Sequence, residues 1–234
     1  MAYELALSFG IILALVHFFS DKIEQLFEQK KIDFISFSAG ISTAYLFLVL
    51  LPDLYTGYQL LNSFIFLLVL LGFTVFHLTE KWVYQNTSAL GDLRHKLKEV
   101  HGVTWFVYHG VLGILLAELT QSNPIMGMLF FVPILFHTGI STFSLEQLHD
   151  KLKYHLPARA LLSVSTLAGI LLASQLAIPS LVTWILYALI GGALFFIVIR
   201  EYIPPERQGN PRMYFIATMG FAILVFVLNN LKLI

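Results

Sequence analysis

Two histidine–glutamate pairs with the same spacing stand inside apolar stretches. His109 precedes Glu118 and His137 precedes Glu146, by nine residues in each case. An ionisable side chain at mid-membrane costs about 2.5–3.5 kcal/mol on insertion scales, so each requires a reason. Imidazole is a common ligand of zinc and similar divalent ions, and two facing histidines begin such a site. His109 lies six residues from the inner end of its segment and His137 about eight from the inner end of its own. At 1.5 Å per residue those depths are about 9 and 12 Å, so the two rings can meet. Either histidine alone serves equally well as hydrogen-bonding glue between helices. Glu118, close to the outer end, either reaches headgroup water or lines an outer vestibule. Glu146, His149 and Asp150 fall at i, i+3 and i+4 and share one helix face, as a solvated rim or as ligands at an inner mouth. His77 with Glu80, and His17 with Asp21, close two other segments with similar spacing. Thr138, Ser141, Thr142 and Gln175 are neutral side chains for lining a path or for bonding one helix to another.

The composition says what must position these groups. The chain of 234 residues is 58% hydrophobic and 12% charged, about half the charge of an ordinary soluble domain. Its net charge of zero implies neither nucleic acid nor an acidic partner, and the absence of cysteine excludes disulfides and thiolate metal sites. Eight apolar segments emerge, at about 5–20, 34–52, 60–78, 103–120, 124–145, 158–177, 179–200 and 212–231, in a single transmembrane domain over residues 1–234. The first follows Glu4 rather than a basic region and is read as a retained helix. Pro124 and Pro179 punctuate two of the tight connections. The stretch at 80–102 places Leu90, Leu93, Leu97 and Val100 at helical spacing among Arg94, Lys96 and Lys98, which predicts a short amphipathic helix on the inner surface.

Thirteen of the fourteen lysines and arginines fall in alternate connections, and Lys232 is the exception. The positive-inside rule makes that side cytoplasmic. Both termini and the connections near residues 56, 122 and 178 are then outside, and the plasma (inner) membrane is the expected location.

A repeat runs through this topology. Gly40 leads through an apolar run to Pro52 and Asp53, and Gly192 leads over the same twelve residues to Pro204, with Glu206 following. The two runs cross in opposite directions, and matched interrupted segments in two halves of a membrane chain mark inverted repeats in transporters. Leu71-Gly72-Phe73 and Met219-Gly220-Phe221 add a weaker echo. Segments one to three and six to eight are therefore read as inverted repeats around the central pair four and five.

With these features the chain resembles the ZIP family of divalent-metal transporters over nearly its whole length. Segment seven, with Gly192, Glu201 three residues before Pro204, and then Glu206, carries the likeness, and Ala39-Gly40 to Leu51-Pro52-Asp53 is similar. The resemblance implies an all-α integral membrane fold with eight transmembrane helices and a transport site at His109 and His137, for a zinc-type cation or another small solute. No permanently bound cofactor is expected; the bilayer is the expected partner, and a homodimer is left open. The family's helix-four motif, His-Asn-x-x-Asp-Gly, is here His109-Gly110-Val111-Leu112-Gly113-Ile114. Its helix-five motif, His-Glu-x-Pro-His/Gln-Glu, is His137-Thr138-Gly139-Ile140-Ser141-Thr142. The histidines align and the carboxylates do not, so zinc transport is expected to be weak, and an aspartate at Gly113 is expected to strengthen the site. The alternative is a non-transporting relative acting as a membrane sensor or scaffold. No positioned nucleophile accompanies the histidines, so an enzyme is not expected.

Overall fold

The computed structural model describes residues 2–85, 90–147, 160–161, 163–202 and 209–234, with the backbone alone for several, among them 90–103 and 141–147. Every element among the described residues is helical: α1 Ala2–Phe18, α2 Ser20–Phe27, α3 Lys31–Tyr45, α4 Leu51–Leu61, α5 Phe64–Gln85, α6 Leu90–Ser122, α7 Pro124–Gln147, α8 Ser165–Gln175, α9 Ser180–Ile197 and α10 Pro211–Asn230. Helices satisfy their own backbone groups, which is what long apolar runs need in hydrocarbon. Among the described residues four stretches are long and apolar enough to cross a membrane: Gln25–Leu61, Phe64–Trp82, Ser180–Arg200 and Pro211–Asn230. Ala2–Phe18, Pro124–Ile140 and Ser165–Gln175 are shorter apolar helices.

Burial sorts these four into pairs. The apolar windows of Gln25–Leu61 and Ser180–Arg200 are 61% and 56% buried, whereas those of Phe64–Trp82 and Pro211–Asn230 are 17% buried each. The first two are core elements and the second two are peripheral. Each peripheral helix is held to a core helix at a glycine. A methyl group at Gly40 would overlap the Tyr214 carbonyl and Ala217 of α10, and the Thr218 hydroxyl lies 3.3 Å from the Gly40 carbonyl oxygen. A methyl at Gly192 would overlap the Val69 carbonyl and the Phe73 amide of α5. Gly72 meets the Leu189 backbone in the same interface, while Gly220 has nothing within 4 Å. The motif echo at Gly72 and Gly220 thus does not mark equivalent contacts.

The helix ends are tied at both levels of the bundle. Arg200 pairs with Glu80 at 3.4 Å. Beside them in the same layer, the Asn210 side-chain amide donates to Asp33 at 2.7 Å and the Asn210 backbone amide to the Ser36 hydroxyl at 2.8 Å. At the opposite ends, the Asn123 amide donates to the Leu233 carbonyl at 2.9 Å.

Two expectations change. The second apolar segment does not stop at Pro52: a π turn over Leu46–Leu50 joins α3 to α4, and the helix continues to Leu61. Proline lacks an N–H and crowds the carbonyl four residues earlier, and a widened turn absorbs both defects. In it the Leu51 amide reaches back to the Leu46 carbonyl. The connection therefore falls at Asn62-Ser63 rather than near residue 56, with Asn62 at φ 50°, a conformation that asparagine tolerates. A second π turn, Val198–Tyr202, precedes Pro204, which lies outside the described residues. The other change is at 90–100, which is the first part of the 33-residue helix α6 rather than a separate amphipathic helix. No proline interrupts the chain there, and a helix tolerates the lone Gly102 at about 1 kcal/mol.

Candidate functional site

His109 and His137 come together in the core, each 1% exposed, with ring centroids 5.9 Å apart and planes 12° from parallel. Antiparallel α6 and α7, joined by the short Asn123 connection, place them at matching depth. Trp105 precedes His109 by one helical turn, so its indole lies over that imidazole. It stacks 4.7 Å from His109 and 5.2 Å from His137. Tyr108 meets both imidazoles edge-on, at 5.5 and 5.6 Å. His17, from the end of α1, lies 5.3 Å from His109. The result is an aromatic box with three imidazoles from three helices.

Polar satisfaction within the box is incomplete. His109 Nδ1 is 3.3 Å from the Thr166 hydroxyl on α8, and its buried Nε2 has no hydrogen-bond partner. A buried polar atom left unpaired costs about 1–3 kcal/mol, so such an atom in a core asks for an explanation. In a tetrahedral zinc shell with Zn–N near 2.0–2.1 Å, two imidazole centroids stand about 5 Å apart. The 5.9 and 5.3 Å separations are slightly wider than that. Among the described residues no three His, Cys, Asp or Glu side chains are disposed to hold an ion. The arrangement is a pair of stacked imidazoles with a third alongside.

The other candidates distribute as follows. Glu118 is half-buried on α6, more than two turns beyond His109. Glu146 lies on α7 where only the backbone is described, and His149 and Asp150 lie outside the described residues. Gln175 is exposed and bonds Ser174, so it faces no interior path, whereas Thr138 is fully buried beside His137. Glu80 pairs with Arg200, and His77 packs its ring edge-on to Phe196 at 5.8 Å. The aspartate proposed at Gly113 has no room: its Cβ would overlap the Thr166 carbonyl and press on the Ile170 amide of α8.

A second polar cluster was not evident from the sequence. The hydroxyls of Tyr45 on α3 and Tyr187 on α9, each residue 1% exposed, are 3.1 Å apart. Asp53 lies beside Tyr187 and also lines an open cleft of about 670 Å³ between α4, α7 and α10. One turn inward from Tyr45, the Ser42 hydroxyl is buried without a partner. No family model matches the chain, and the comparison with curated proteins gives no match.

Proposed function

We propose that this chain is a ZIP-like membrane transporter of a zinc-type divalent cation, or of another small solute on the same central path, between the helices that carry His109 and His137. In this reading eight helices cross the membrane, and α1–α5 and α8–α10 form inverted repeats about α6 and α7. Support comes from paired features: Gly40 and Gly192 each lead, six residues on, into a π turn. Each glycine also seats against a peripheral helix, one belonging to the opposite triplet. The observation that carries the functional reading is the unpartnered, buried Nε2 of His109 beside His137. Two neutral imidazoles bind a cation weakly enough to release it. His17 offers the next donor toward the inner end, and the Trp105 face attracts positive charge.

A second reading is favoured by Trp105 itself, which lies flat on both imidazoles and helps to close the box. A chain that binds metal there without passing it is a sensor or scaffold. Purified protein in proteoliposomes separates the two, with zinc binding and zinc uptake measured for the parent, His109→Ala and His137→Ala. Uptake by the parent that falls about tenfold or more in both variants supports transport. Binding without uptake supports the second reading, and uptake indifferent to both substitutions removes the histidines from the path.

A further inference from the structure

We infer that the cleft between α4, α7 and α10 is a binding site for one membrane lipid with a primary-amine head group. The inference rests on the membrane-spanning reading proposed above, not on the histidine site. The cleft is amphipathic along its length. Leu48, Met219, Ile223 and Phe226 line it and are exposed on the bundle surface, so its long side opens where acyl chains would be. Asp53, Thr56 and Asn229 also line it, and these polar groups gather at one end, because α4 and α10 run in the same direction.

Its dimensions fit one leaflet. From Leu48 to Thr56 is eight residues, and from Met219 to Asn229 is ten, or about 12 and 15 Å of helix. The hydrocarbon core is about 30 Å thick, so the cleft spans about half of it, with its polar end at the outer interface. An acyl chain laid along Ile223 and Phe226 would then present its head group to Asp53. No lysine or arginine lines the cleft. The Asp53 carboxylate takes one hydrogen bond from Tyr187 on its inner side; with its remaining acceptor sites, a hydroxyl and an amide, it disfavours an anionic head group and accepts from an ammonium, which offers three donors.

The test uses the full chain, stripped of lipid in detergent and offered phosphatidylethanolamine or phosphatidylglycerol. Native mass spectrometry reads retained lipid, and a thermal melt reads stabilisation. The expected result is one phosphatidylethanolamine per chain, preferred about two- to fivefold over phosphatidylglycerol, as suits a half-exposed charge pair. Asp53→Asn should erase that preference while an acyl chain is still retained. Ala222→Phe should abolish retention of either lipid in protein that remains monodisperse and helical; Asp53→Asn decides the matter if that variant does not fold. Retention indifferent to head group in the parent, retention that survives Ala222→Phe, or a lipid-free dimer would each overturn the inference. His109→Ala should retain the lipid unchanged, so failure of the transport reading and failure of this one are read separately.

Discussion

The two nitrogens of His109 are in different circumstances: Nδ1 approaches the Thr166 hydroxyl, and Nε2 has no partner. Residue counting from the helix ends was enough to bring His109 to His137, because α6 and α7 are antiparallel and joined by a short connection. It did not bring His17 to His109, since its spacing to Asp21 reads as an inner-mouth pair, either a solvated rim or a metal exit. Nor did it find Trp105, since an aromatic residue in a membrane helix has many ordinary uses. The Tyr45–Tyr187 contact, 142 residues apart in the chain, leaves no local pattern at all. The Tyr187 hydroxyl meets both Tyr45 and Asp53, so Tyr187→Phe strands the Tyr45 hydroxyl, whereas Tyr45→Phe takes from Tyr187 one of its two partners. Each single change should destabilise by about 1–3 kcal/mol, and the double change should cost less than the sum of the two. Thermal melts of the four proteins in detergent check this; additive losses would show that the pair does not interact.

Among the elements, the glycines decide which surfaces can approach. Gly40 and Gly192 bring whole helix backbones into contact, whereas Gly220 faces open space. Gly192→Ala and Gly40→Ala should therefore each destabilise by about 1–3 kcal/mol, because neither α5 nor α10 can give way without moving its backbone. Gly220→Ala should be neutral or stabilise by up to about 1 kcal/mol through helix propensity alone. Melting curves of the three variants test the contrast, and equal effects at all three positions would refute the assigned contacts. The twelve-residue Gly-to-Pro spacing was readable because glycine and proline are conspicuous letters. The π turns between them were not, since a widened turn leaves no composition of its own. For that reason the sequence placed a helix end at Pro52 where the chain continues to Leu61.

For the whole molecule, apolar runs located the long helices that the structure describes but not the polar α2 at Ser20–Phe27, and the basic residues predict which end of the bundle is cytoplasmic. Ser63 and Ser122 are exposed at one face and Gln29 at the other. Ser63→Cys and Ser122→Cys should react with an impermeant thiol reagent in intact cells, and Gln29→Cys should react only after permeabilisation. Labelling of Gln29→Cys in sealed cells would invert the topology. What composition could not tell is which helices would be neighbours. The core helix α3 seats its peripheral partner α10 from 178 residues away, at the Thr218–Gly40 contact. That distance has a meaning in time. At 5–20 residues per second of synthesis, Gly40 is in the growing chain about 10–35 s before Thr218 exists. Throughout that interval the groove that will receive α10 is open, with the Gly40 backbone exposed to whatever surrounds the nascent protein. That groove can close only after residues 211–230 have been made and have reached it.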